Sequence, residues 1–422
     1  MAHYIQPDIG RIRYRDGMAD LPPLRPSDRQ LLTTLRLHGE LERSELARLS
    51  GLPRSTITDA LVRLRRSGVV AERTMPASAR SRAGRPPRLM TLAPPSGLVG
   101  VLALTHGTLQ AGVVGFDGTM HARQAMQTSR ENLENGMVEP GLTLLDRALR
   151  EASATRESLA CAVIGLPMAI GGLGVQAADP ADARPAQAGP SQPLLRRRPL
   201  PAWGRTDPAI EVRRRLGVPA WVENDANLGA LGEGTFGAAA AMPSFIFIKI
   251  VQGIGAGLVI GRRLHRGAAG LAGELAHIHV HDDGVLCGCG GRGCLMTTLN
   301  TQRLVDLIRE LHPGAVTMQD VLLLAMGGEA GVWRVLRDLG RTIGRSLASF
   351  CVYMAPDGIV LDGILGHGSA PVIEGIREML SELTSPAVAG QVRVVVGELD
   401  SRAELLGATV LARENQLGRS TF

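Results

Sequence analysis

The 422-residue sequence holds a single lysine, Lys249, among its 46 basic residues. Its basicity is therefore arginine's, and the excess of arginine and alanine is a bias that a GC-rich genome explains as well as any function does. No run of about 18 apolar residues occurs, which excludes an ordinary membrane-spanning helix, and no apolar signal core opens the chain. These absences predict a cytoplasmic protein with no membrane partner. Cysteine is scarce. Three of the five, Cys287, Cys289 and Cys294, crowd into eight positions, a distribution that favours a metal over disulfides in a reducing compartment.

What is present is enough for globular packing: 45% apolar residues and 52 glycines, over a length that predicts two or three domains. The net charge of +6 is unevenly placed. Residues 1–95 carry 17 arginines against nine acids, and the remainder carries slightly more acids than bases. A basic module on a near-neutral body points to a polyanionic partner for that module.

Residues 1–25 lack periodicity and are expected to form a flexible basic arm. Ser27 offers a helix N-cap, and Leu31, Leu32 and Leu35 recur at helical spacing up to His38-Gly39. A second helix fits Arg43–Leu49, and Ser50-Gly51-Leu52-Pro53 makes the turn into a third, from about Arg54 to Arg66. In the third helix Ile57, Leu61, Val62 and Leu64 are taken as the inner face, leaving Arg54, Ser55, Thr56, Thr58 and Arg63 outward for DNA. Strands at 69–72 and 89–92 flank a Gly- and Pro-containing loop whose Arg82, Arg85 and Arg88 suit a narrow minor groove. Residues 26–95 thus read as a winged helix-turn-helix that binds double-stranded DNA.

Farther on, Glu274-Leu-Ala-His277 precedes Cys287-Gly-Cys289-Gly-Gly-Arg-Gly-Cys294. Cysteines two and five residues apart, separated by glycines, can converge on one point, and a histidine completes a tetrahedral Cys3His shell for zinc. A closed shell of four protein ligands is structural, not hydrolytic. His277, His279 and His281 are all within reach, and strand alternation would put the three on one face.

With this segment, with Glu223-Asn224-Asp225 and with Gly253-Ile-Gly-Ala-Gly257, the chain resembles the ROK family of repressors, open reading frames and sugar kinases. Its N-terminal winged helix resembles the NagC/XylR-type regulators of that family. The resemblance favours His277 as the fourth zinc ligand beside Cys287, Cys289 and Cys294. It implies an α/β architecture: the winged helix-turn-helix followed by a two-lobed actin-like domain with a ligand cleft. The first lobe is expected over 97–220, completed by a C-terminal helix at about 402–415, and the second over 221–400 with the zinc knuckle. Ala177–Leu195 looks like a flexible insertion.

The resemblance also assigns roles. Asp225 matches the family's catalytic base, and Glu274 and His277 match sugar-contacting positions, so Asn224, Asp225, Glu274 and His277 are the expected ligand contacts. The phosphate side departs from the family. Leu102 stands where an acid should open the first lobe, Gln252 replaces a small hydroxyl residue, and Asp362 replaces a glycine. A bulky apolar residue at 102 can neither orient magnesium nor accept a proton. The sugar side is also reduced: Arg198-Pro199-Leu-Pro-Ala202-Trp203 lacks the family's asparagine, and Met296 replaces a glutamate. The expectation is a DNA-binding regulator, a homodimer or higher homo-oligomer on an operator, with a sugar or sugar derivative as effector and Asp225 as a vestigial base. The alternative is an ATP-dependent sugar kinase with a fused DNA-binding head.

Overall fold

The computed structural model describes residues 25–66, 69–74, 88–93, 97–105, 107–128, 137–168, 170, 207–251, 253–298, 301–314, 317–363 and 366–416. The arm expected at 1–25 (its last residue excepted), Arg82, Arg85, the insertion Ala177–Leu195, the 198–203 segment and Gln252 lie outside them. The chain divides into two compact units, Met1–Pro95 and Ser96–Thr421.

The first unit contains helices α1 (Pro26–His38), α2 (Arg43–Ser50) and α3 (Arg54–Arg66) and strands β1 (Leu41–Glu42), β2 (Val70–Thr74) and β3 (Arg88–Leu92). The strands form one antiparallel sheet in the order β1-β3-β2, with Thr74 opposite Arg88 at its far end. Leu31, Leu35, Leu46, Ile57, Leu61, Leu64 and Met90 make the core, because the apolar stripes of the three helices converge over β3. Ser27 lies inside the first turn of α1 and is not its cap. Asp28 instead accepts the Arg25 backbone N–H at 3.1 Å. Gly51, at φ 67°, ends α2 in the left-handed conformation that the sharp helix-turn-helix corner requires.

The second unit is built on two five-stranded sheets. The first runs β6-β5-β4-β7-β8 (Met120–Gln127, Thr108–Gly115, Leu98–Thr105, Leu159–Leu166, Ala220–Asn224). The second runs β11-β10-β9-β12-β13 (Arg263–His265, Ile254–Ile260, Phe245–Ile250, Gly358–Gly363, Arg393–Val396). The second lobe, expected to start at 221, starts later: β8 pairs in parallel with β7 and so closes the first sheet. Helices Val138–Glu151 and Pro208–Leu216 cover one face of that sheet, and helices Ala330–Met354 and Ala370–Leu383 cover one face of the other.

Between the sheets lie the helices Asp225–Phe236 and Ala403–Gln416, side by side. Their closest approach depends on glycine. A Cβ on Gly407 would sit 1.8 Å from the carbonyl oxygen of Leu228. Strand alternation then decides what reaches this middle layer. In β9, Ile246, Ile248 and Ile250 point to the outer helices, while Phe245 and Phe247 pack on the inner side with Ala226 and Ala230. Lys249 continues the phenylalanine face and is carried into the middle layer.

Candidate functional site

Three groups of side chains stand out. The first is the outward face of α3. Ser55, Thr58, Asp59 and Val62 are exposed at 55, 58, 59 and 62, one side of the helix, and Arg54 is exposed at its start. Thr56 is half-buried, and Thr58 donates its hydroxyl back to the Arg54 carbonyl at 2.9 Å. Two expectations from the sequence are corrected here. Val62, taken as inner, is 53% exposed. Arg63, taken as a DNA contact, turns back to Asp28 of α1, with Nη2–Oδ1 at 2.6 Å. Asp28 is buried, so this guanidinium is its counter-ion. Arg88 is likewise not free at the loop: it meets Glu72 across the β2–β3 pair at 3.1 Å, and Arg65 meets the other oxygen of Glu72 at 2.6 Å.

The second group is the segment 277–294. Its ligand atoms on His277, Cys287, Cys289 and Cys294 all lie within 4.8 Å of one another, an arrangement that can hold a metal ion. His277 Nδ1 is 3.6 Å from Cys287 Sγ, and Cys289 Sγ is 3.7 Å from Cys294 Sγ. The three histidines do not share a face, because Leu275–His277 is a 3-10 turn, not a strand. His279 instead stands 3.7 Å from Asp282, outside the cluster. Gly293 permits the knuckle: at φ 65°, a Cβ there would fall 1.7 Å from the His281 carbonyl oxygen. The Gly291 N–H, donating to Cys289 Sγ at 3.4 Å, holds that thiol below its usual range.

The third group fills the layer between the sheets. Asn224 ends β8 and caps the following helix: its Oδ1 accepts from Asn227 N at 3.0 Å, and its Nδ2 donates to the Met168 carbonyl at 3.0 Å. Glu223, buried beside it, accepts from Asn227 Nδ2 and pairs with Arg266 at 2.8 Å. Asp225 is 6% exposed; Lys249 Nζ donates to its Oδ2 at 2.8 Å and also pairs with Glu404 of the C-terminal helix. Burial works against the lysine's charge, but the two carboxylates override it and hold the ammonium protonated. Asp362 lies opposite Lys249 in the parallel β12–β9 pair. Burial, with Glu404 and Glu233 nearby, pushes its carboxyl up to about 7.

Of the four ligand contacts expected from the sequence, Asn224 and Asp225 are thus engaged within the protein and His277 belongs to the cysteine cluster. Glu274 is the least committed. Its side chain is 38% exposed and 3.9 Å from His277 Nε2, and burial raises its carboxyl above the usual range. Lys249 and Glu404 were not anticipated. The signal for Lys249 was its position as the sole lysine, inside the apolar strand Phe-Ile-Phe-Ile-Lys-Ile. Nothing local marked Glu404.

A family model described as the ROK family matches residues 104–415, and one described as winged helix-turn-helix DNA-binding matches residues 24–71. The chain belongs to the ROK family. It is 24% identical over 400 residues to a protein named "Putative xylose repressor" from a Caldicellulosiruptor species, covering 92% of this chain and 95% of that one. It is also 32% identical over 232 residues to a glucokinase of Streptomyces coelicolor, covering 50% of this chain and 72% of the kinase. The fold matches a ROK family transcriptional regulator described as a homologue of the E. coli MLC protein, with a TM-score of 0.69, 20% identity, and coverage of 92% of this chain and 97% of that one.

In the first sheet, β4 and β5 pair without interruption up to Thr105 opposite Thr108. Leu102 is fully buried on the outer face of the sheet, against Gly141 of the Val138–Glu151 helix. Gly255 and Gly257 let the Asp225–Phe236 helix close on β10; a Cβ on Gly257 would meet that of Ala230 at 2.7 Å. Among the described residues, no helix is long and apolar enough to cross a membrane.

Proposed function

We propose that this ROK protein is a sequence-specific transcriptional regulator, acting as a repressor, whose ROK unit senses a ligand and does not transfer phosphate. The observation that carries the reading is the combination of a winged helix with a ROK unit whose base-position carboxylate, Asp225, is bound to Lys249. A general base must accept a proton from a substrate hydroxyl. A carboxylate paired with a buried ammonium has its charge already compensated. Leu102 supplies no acid for magnesium, and the buried Asp362 sets a carboxyl in place of glycine.

DNA is met by the first unit, with Arg54, Ser55, Thr56 and Thr58 at the start of α3 and Arg82 and Arg85 from the loop between β2 and β3. A homodimer on a palindromic operator is the arrangement that two such heads fit. The effector is a sugar or sugar derivative. The name of the Caldicellulosiruptor relative supports this class, and Glu274 is the side chain left to receive a hydroxyl.

The Cys3His cluster is assigned to structural zinc. Tetrahedral zinc, with bonds of about 2.3 Å to sulfur and about 2.0 Å to nitrogen, sets sulfur pairs about 3.8 Å apart and sulfur–nitrogen pairs about 3.6 Å apart. The observed 3.7 and 3.6 Å support that fit. Zinc would be held by His277, Cys287, Cys289 and Cys294 and would keep the segment folded beside Glu274, whose carboxylate faces the second nitrogen of the histidine ligand.

The test is binding of the purified protein to its own upstream DNA, across a salt series and a sugar panel. Specific binding that weakens steeply with salt and shifts with one sugar is the expected result. A second reading, sugar phosphorylation, is favoured by the 32% identity to a glucokinase. A coupled ADP-release assay over the same panel decides it, and turnover with any sugar would overturn the non-catalytic reading.

A further inference from the structure

The outward face of α3 is unusual for what it withholds. Arginine reading guanine is the commonest specific contact in the major groove, and this helix has three arginines in its second half. Two of them are tied back, Arg63 to Asp28 and Arg65 to Glu72. Thr58 spends its hydroxyl proton on the Arg54 carbonyl. What remains on the stripe is Ser55, Asp59 and Val62, at i, i+4 and i+7, with Arg66 exposed below them in the last turn.

An exposed valine on a polar helix removes nothing from water, and a carboxylate facing DNA is repelled by phosphate. Both become useful against particular base edges. The thymine C5-methyl group is an apolar knob in the major groove, and the cytosine N4 amino group is a donor that a carboxylate can accept. Asp59 is exposed, and the Arg63 guanidinium one turn on, which attracts it through space, is bound to Asp28. We infer that Val62 and Asp59 are the base readers of the operator half-site, Val62 meeting a thymine methyl and Asp59 accepting from a cytosine amino group. The inference rests on the regulator reading above and adds the bases that the helix selects.

The experiment uses the full-length protein. It first selects its operator from a randomised duplex pool, and each thymine of the winner is then replaced in turn by deoxyuridine, which differs only in lacking the methyl group. One position should cost the wild type roughly fourfold in affinity, the worth of one buried methyl group. Val62→Ala should lose a similar factor on the thymine duplex and be indifferent to deoxyuridine at that position. Asp59→Asn should relax the preference for one C·G pair by roughly tenfold. Val62 is exposed, so its truncation leaves the fold intact, and an unchanged Tm verifies that. If no single deoxyuridine weakens the wild type, or if the Val62→Ala and deoxyuridine losses add in full, Val62 does not touch a methyl group and the inference falls. If the wild type enriches no sequence at all, the regulator reading falls with it.

Discussion

The Cys3His knuckle and the Asp225–Lys249–Glu404 cluster belong to the same compact unit and are built in opposite ways. The knuckle draws its four ligands from 277–294, one short loop whose glycines force the sulfurs together. The charged cluster draws on a helix start, the end of a strand and a C-terminal helix, joined only when two sheets enclose the middle layer. A local chelate needs a metal to hold it. A distributed ion pair needs the whole lobe arrangement, and loses its compensation if any one member is removed.

The largest effect should come from the knuckle. Replacing Cys287 and Cys289 with serine, or stripping metal with a strong chelator, should lower Tm by roughly 10 °C or more, because structural zinc sites contribute folding energy directly. Metal analysis should show one equivalent of zinc in the wild type and none in the variant. An unaltered Tm in the metal-free protein would mean that the loop is held by its backbone alone. Next comes Lys249→Met, which leaves two buried carboxylates facing each other and should cost about 3–5 kcal/mol in denaturant unfolding. Adding Glu404→Gln should recover part of that loss. If the double variant is as unstable as the sum of the singles, the three groups do not act as a unit.

A smaller effect separates Asp362 from its neighbours. Its folded value of about 7 lies above the ordinary 3.8, so the native state holds the proton more tightly than the unfolded chain does. That contribution is complete below about 4 and is lost as pH rises through about 7. Asp362→Asn should therefore gain on the wild type as pH is raised from about 4 to about 7, and parallel stability curves over that range would contradict the assignment. The smallest effect is expected in the DNA-binding head. Arg63→Ala leaves the buried Asp28 without its counter-ion, but the lost guanidinium is itself partly solvated, so its Tm should fall less than that of Lys249→Met. Its DNA affinity should fall less than that of Arg54→Ala, which has no buried acid to neutralise.

The same contrast explains what was legible in the sequence. The helix-turn-helix corner, the two wing strands and the cysteine knuckle could be read because each is local. Gly51, the leucine periodicity and the Cys-Gly-Cys spacing carry their geometry within a few residues. Val62 and Arg63 were exchanged because a thirteen-residue helix with apolar residues at 57, 61, 62 and 64 allows more than one inner face. Only Asp28, 35 residues earlier, decides it by taking Arg63. Asn224 and Asp225 were found by their motif, yet their present partners, Met168 just past β7 and Lys249 in β9, are distant in sequence and no spacing rule names them. The edge between the lobes was misplaced for a related reason: β8 reads as the start of a new segment, and only its pairing with β7 returns it to the first sheet.

Lys249 gives the molecule a built-in reporter. Apart from the α-amino group, its side chain carries the only primary amine in the sequence, and it is 6% exposed with its lone pair occupied by a proton. Acylating reagents should therefore find the α-amino group and almost nothing else to label on the folded protein at neutral pH. The rate at which this one nitrogen becomes labelled is a clock for separation of the two sheets. Slower labelling in the presence of a small molecule would register its binding to the ROK unit with no knowledge of the operator.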